Sequence, residues 1–153
     1  MVGELYLASH WTMIPHPSKA KTGGEDAVFA TPCAVGIADG VGGWANQGID
    51  AGEVSRALMH SIGTVAMTPP HKSTALDLLR QGWKNVQEQR IVGSTTAVVA
   101  SISNERLYTA NLGDSGFVVR ITNFISAPTR LCSVSETFTI DRHFDACCVL
   151  CVG

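Results

Sequence analysis

Over residues 4–14 (ELYLASHWTMI) apolar and polar positions alternate loosely, with Leu5, Leu7 and Trp11 as apolar members, which predicts a first strand. Pro15, Pro17 and the segment 18–24 interrupt it. Residues 27–31 and 34–38 are short apolar runs joined by Thr31-Pro32-Cys33, and they predict two further strands with Asp39 at the end of the second. Asp50, with Glu53 three residues on, has the form of a helix cap. Val54, Leu58, Ile62 and Val65 then recur at helical spacing, predicting a helix over 51–67 that Pro69-Pro70 stops. Thr74 and Asp77 repeat the cap, and Leu79, Trp83, Val86 and Arg90 share one face of a second helix over 75–89. Both stripes are expected to pack on a sheet rather than bind a partner.

Gly93 ends that helix. Strands are expected over 94–102 and 106–111 around a turn at Ser103-Asn104-Glu105, then a tight turn at 112–116 and a returning strand over 117–121. Beyond Asn123 neither period holds, although 137–140 has strand character. Strands, two helices and a meander predict an α+β domain with antiparallel sheets, and no internal repeat breaks that reading.

Composition narrows the class. At 153 residues, 45% hydrophobic and 16% charged, the chain has the make-up of one globular domain. Its formal charge of −2 gives no electrostatic reason to expect nucleic acid or an anionic membrane as partner. No apolar run approaches the ~20 residues of a membrane span, and no secretory leader is expected. Of the five cysteines, Cys33 stands apart and Cys132, Cys147, Cys148 and Cys151 crowd the tail. An odd total without a leader favours free thiols in an intracellular, reducing compartment over a disulfide framework.

Candidate chemistry centres on residues 23–44, GGEDAVFATPCAVGIADGVGGW. Glu25 and Asp26 precede one predicted strand, and Asp39 ends the next, so a hairpin would gather three carboxylates. Asp39 opens the glycine-rich turn Gly40-Val41-Gly42-Gly43, and Asp114 lies in a later turn. Carboxylate and carbonyl oxygens suit hard cations such as Mg²⁺ and Mn²⁺, and Gly40 has no Cβ to keep its carbonyl from a metal. Two such ions can share and activate a water aimed at phosphorus. The alternative is that these acids simply cap turns. A phosphate-cradling loop at residues 40–43 is a third reading, but it lacks the lysine of a P-loop.

Four motifs occur in order: Gly23-Gly24-Glu25-Asp26-Ala27, Ile37-Ala38-Asp39-Gly40-Val41-Gly42-Gly43-Trp44, Gly93-Ser94-Thr95-Thr96-Ala97, and Ala110-Asn111-Leu112-Gly113-Asp114-Ser115-Gly116. Together they resemble the metal-dependent, type 2C serine/threonine protein phosphatases over roughly residues 4–121. The GVGGW form and the upstream Pro15-His16-Pro17 are similar to an organelle-associated branch found in mitochondria and plastids. The resemblance implies a sandwich of two antiparallel β-sheets flanked by helices (αββα), with metals at one end. It implies that Asp39 bridges two Mg²⁺ or Mn²⁺ ions, Glu25 binds one directly, and Gly40 binds through its carbonyl. Asp26 would orient the water, and Asp114 would belong to a third, weaker metal site. Lys21, four residues before Glu25, stands where many relatives carry a phosphate-binding arginine, and it supplies charge without the bidentate fork. The implied reaction is hydrolysis of phosphoserine or phosphothreonine in a phosphorylated protein by attack of a metal-bridging water.

The departures count as much. Val41 replaces a histidine that many relatives carry after the Asp-Gly pair. The family's later Asp-Gly and Asp-Asn pairs, each giving a metal-ligating aspartate, have no counterpart, and the surroundings of Asp141 and Asp145 match neither. The expectation is therefore an incomplete sandwich: residues 1–122 as the N-terminal part of a phosphatase-like domain, and 123–153 as a divergent tail. Turnover from this chain would be weak or absent; the alternative function is a non-catalytic fragment that binds phosphoprotein or another partner. His143 with Cys147, Cys148 and Cys151 has zinc-ligand residue types, but in a compact cluster unlike the two separated pairs of structural zinc sites. Cys33 and His10, His16, His60 and His71 are expected to be packing or surface residues.

Overall fold

The computed structural model describes residues 6–69, 72–122, 129–132, 137–139 and 145–151, and from Arg120 onward it describes backbone alone. Among the described residues, eight strands form two antiparallel sheets. The first holds β1 (Asp26–Ala30), β2 (Ala34–Asp39), β3 (Ala97–Ser103), β4 (Arg106–Leu112) and β7 (Thr137–Thr139), in the order β1-β2-β3-β4-β7. The second holds β5 (Gly116–Thr122) between β6 (Thr129–Cys132) and β8 (Asp145–Cys151). Two helices, α1 (Ala51–Ala66) and α2 (Ala75–Glu88), cover the outer face of the first sheet. The layers are thus helix, sheet, sheet, which is the expected sandwich with helices described on one side.

Alternation along the strands builds two separate cores. One face of the first sheet gives Ala27, Phe29, Ala34, Ala38, Ala97, Val99 and Ala110 to the helix layer, where Val54, Leu58, Ile62, Leu78, Leu79 and Val86 meet them. The opposite face turns Val98, Ala100 and Leu107 toward Phe117 and Val119 of β5. Small residues on the helix-facing side of the strands let the helices approach closely. Asp50 caps α1 by accepting from the Gly52 N–H at 2.9 Å, and Thr74 and Asp77 form a reciprocal capping box on α2. Those hydrogen bonds from Thr74 hold the Asp77 carboxyl below its usual pKa. The β3–β4 hairpin turns through Asn104 (φ 50°) and Glu105 (φ 60°), two left-handed residues that match the strand twist.

Three expectations need correction. Residues 6–14 form no strand: Leu7 makes one backbone bond, to the Pro32 carbonyl at 2.7 Å, while Tyr6, Trp11 and Ile14 stay exposed and bury no face. The buried face of α2 is Ala75, Leu78, Leu79, Gly82 and Val86, with Trp83 at its exposed edge. Strand β3 starts at Ala97 rather than 94, because residues 94–96 are bonded to Asp39 at the end of β2 and to Val41 in the loop after it. The strand expected over 137–140 is present as β7; Ile140 itself lies outside the described residues, as do His71, Asp141 and His143. Cys147, Cys148 and Cys151 fall in β8. No helix among the described residues is long and apolar enough to cross a membrane.

Phe117 is fully buried and is the largest side chain of the inter-sheet core. Phe117→Ala is expected to cost about 3–5 kcal/mol, read as a lower urea midpoint at unchanged slope.

Candidate metal centre

The acids meet because of strand register. β1 and β2 pair antiparallel with Asp26 directly opposite Asp39, the first residue of one strand against the last of the other. Both belong to the row that includes Val28, Val35 and Ile37, so they stand at one end of the inter-sheet face. Glu25 immediately precedes them. Like charges directly opposed in a sheet oppose pairing, so the neighbourhood must hold the two strands together against them.

That neighbourhood is a set of backbone clamps. The Asp39 carbonyl accepts the Thr96 N–H at 2.9 Å and the Thr95 hydroxyl at 2.8 Å, and the Asp39 N–H donates to Thr96 Oγ1 at 3.3 Å. Thr96 Oγ1 also pairs with Ser115 Oγ at 2.6 Å, and Asn111 Nδ2 donates to the Ser115 carbonyl at 2.6 Å. The Val41 N–H donates to the Ser94 carbonyl at 2.9 Å, and the Trp44 indole N–H to Ser94 Oγ at 2.8 Å. Gly40 N–H donates to the Glu25 carbonyl at 3.0 Å, and Ser55 Oγ donates to the same oxygen. Gly40 is held so close to α1 that a Cβ there would lie 2.0 Å from the Ala51 carbonyl oxygen. Only glycine fits that position.

Upstream, a 3₁₀ helix at Pro17–Thr22 ends in Gly23 (φ 83°) and Gly24 (φ 85°), whose left-handed conformations turn the chain into β1. The Gly24 N–H closes the turn on the Lys19 carbonyl at 3.2 Å. This carries the Lys19 ammonium onto the Glu25 carboxylate, while Lys21 stays exposed.

Burial is the largest influence on Asp39, followed by the charge of Asp26, a hydrogen bond with Asp26 and the charge of Glu25; together they push its pKa up to about 6, against an opposing pull from Lys19. An acid pair that resists losing its last proton is short of positive charge, and its oxygens are the donors that hard divalent cations take. The donor types fit Mg²⁺ or Mn²⁺. Among the described residues, however, no three His, Cys, Asp or Glu side chains converge into a cage. The structure brings Asp26 and Asp39 together, sets Glu25 beside them in an ion pair with Lys19, and aligns Gly40 between them and α1. Asp114 is exposed on the turn whose Gly113 packs against Thr96.

Sequence reasoning missed Lys19, Ser55, Thr95, Thr96 and Ser115. The Ser-Thr-Thr and Gly-Asp-Ser motifs marked three of them, but no periodicity tells a backbone clamp from a turn. Lys19 carried no signal that Lys21 lacked.

The raised pKa sets a pH dependence. The folded state binds Asp39's proton more tightly than the unfolded chain, so this group's contribution is most favourable below pH ~4 and is lost as pH rises through about 6. In EDTA, Asp39→Asn is expected to remove that decline and to melt higher than the parent at pH 7, as measured by thermal denaturation between pH 4 and 8.

Residues 39–129 match the family Protein phosphatase 2C. The chain is 44% identical over 118 residues to Probable protein phosphatase 2C 55 of Arabidopsis thaliana, an alignment covering 75% of this chain and 25% of that protein. It is 43% identical over 105 residues to the Drosophila sechellia protein phosphatase PTC7 homolog fig, covering 63% of this chain and 33% of the relative. The chain thus spans about a quarter to a third of these curated relatives. In three dimensions it is similar to the X-ray structure of the photosystem II phosphatase PBCP, at 26% identity and a TM-score of 0.62 over 91% of this chain and 59% of that one. The ordered motifs, the two-sheet sandwich and these matches place the chain in the protein phosphatase 2C family.

Proposed function

We propose that this chain carries part of the metal centre of a protein serine/threonine phosphatase that hydrolyses phosphoserine or phosphothreonine with Mg²⁺ or Mn²⁺. The observation that carries the reading is the Asp26–Asp39 pair, opposed across β1 and β2 at the end of the sandwich with Glu25 beside it. Asp39 and Glu25, with the Gly40 carbonyl, are the residues that would hold two cations, and Asp114 would serve a third, weaker site. Bound divalent ions supply charge for the phosphoryl oxygens and lower the pKa of water.

The chain's own residues then have separate tasks. Asp26 accepts a hydrogen bond from the attacking water and so fixes its orientation. The clamps from Thr95 and Thr96 keep Asp39 from recoiling from Asp26. Val41, half exposed after Gly40, has no proton to give, so the leaving serine or threonine oxygen takes its proton from water. Lys21 is exposed on the 3₁₀ helix, where its charge favours a phosphorylated substrate. A mitochondrial or plastid setting is supported by the likeness to a photosystem II phosphatase and by the GVGGW motif.

Release of phosphate from a phosphothreonine peptide, measured with Mn²⁺ or Mg²⁺ and with EDTA, tests this reading. Weak metal-dependent turnover is expected, falling further in Asp39→Asn by at least the ~10–100-fold that follows loss of a residue supporting a metal site. A folded protein whose activity is flat with metal would sink the catalytic reading and leave a phosphoprotein-binding one.

A further inference from the structure

The acid cluster already has a cation of its own. Lys19 is placed by backbone, not by chance: its N–H donates to the His16 carbonyl at 2.8 Å, and its carbonyl accepts from the Gly24 N–H at 3.2 Å and the Thr22 hydroxyl at 2.9 Å. Its ammonium is bonded to Glu25 Oε2. Gly42 closes the other side, where a Cβ would stand 3.0 Å from Glu25 Oε2 and 3.3 Å from Lys19 Nζ. The partners differ in accessibility: the Glu25 side chain is 14% exposed and that of Lys19 is 43% exposed. The carboxylate is therefore the more enclosed partner, and the lysine side chain has solvent beside it. Lys19 also acts on Asp39, since its charge offsets part of what Asp26 and Glu25 impose.

We propose that Lys19 is a resident counter-ion of the acid cluster, and that a divalent cation binding at Glu25 displaces it, so metal uptake is an exchange of ammonium for metal. The inference rests on the metal-centre reading above and adds a residue to it. Lys19 lowers the repulsion among Glu25, Asp26 and Asp39 while the metal is away, and competes with the metal for Glu25 when it arrives. It therefore has opposite effects on two measurable quantities. Removing it weakens the metal-free protein and strengthens cation binding, whereas a residue with a merely structural role would weaken both when removed. Lys21, two residues on and exposed, moves neither.

Calorimetric titration of Mn²⁺ into the parent chain, Lys19→Met, Lys19→Arg and Lys21→Met tests this, with melting curves in EDTA alongside. Lys19→Met is expected to bind Mn²⁺ ~3–5-fold more tightly, in keeping with a half-exposed ion pair, and to melt lower without metal. Lys19→Arg and Lys21→Met are expected to match the parent. The lysine side-chain ¹⁵N resonances of the parent chain give a second readout that needs no variant: adding Mg²⁺ should move the Lys19 signal toward that of a solvated lysine. Unchanged or weaker Mn²⁺ binding by folded Lys19→Met, or a Lys19 resonance unmoved by bound Mg²⁺, would overturn the exchange alone. No Mn²⁺ or Mg²⁺ binding by the parent would overturn the metal-centre reading and the exchange with it.

Discussion

Two carboxylates, Asp26 and Asp39, face each other across the first pair of strands, and neither can withdraw without unpairing the hairpin. Much of the surrounding architecture can be understood as the means of holding that repulsive arrangement. Hydrogen bonds to the backbone of Asp39 come from Thr95 and Thr96. The start of β1 is gripped from α1, where Ser55 bonds the Glu25 carbonyl and Arg56 Nη1 reaches the Gly24 carbonyl at 3.3 Å. The stability that offsets the repulsion is supplied by the apolar layer beneath, where Val54, Leu58 and Ile62 are fully buried.

This division of labour explains why the family motifs are short and scattered. Each supplies one contact to the same few backbone atoms. Gly-Gly-Glu-Asp supplies the turn and two acids, and Asp-Gly the third acid and the close approach to α1. Ser-Thr-Thr supplies the clamps, and Gly-Asp-Ser the hydroxyl of Ser115 that steadies Thr96. None is informative alone, because each has turn chemistry on its own. Their order along the chain carries the meaning, since only a folded sheet brings them together.

The helices were legible because their apolar stripes and caps are local: Asp50, Thr74 and Asp77 act within one turn of chain. Strands β1, β2, β4 and β5 were legible within a residue or so from their apolar runs. Residues 4–14 misled because loose alternation does not say whether a sheet edge exists to receive it. At the site, Asp26 and Asp39 could be paired from the hairpin alone. Lys19 could not be chosen over Lys21, because the choice depends on the φ of Gly23 and Gly24 and hence on how the 3₁₀ helix aims its side chains.

Among the described residues the two cores share no buried residue. The sheets meet, among the described residues, at a group centred on Phe117, to which the acid-bearing hairpin adds Val35 and Ile37, while its other face joins the helix-backed layer. Among these residues the two clusters are distinct, and amide exchange tests whether the sheets part as a unit separate from the helix layer. Partial opening of that kind would expose Val98, Ala100 and Leu107 while β1, β2 and α1 remained closed. The acid pair can then persist through fluctuations that separate the sheets, with the Thr96–Ser115 hydroxyl contact among the points where the start of the second sheet tugs on it.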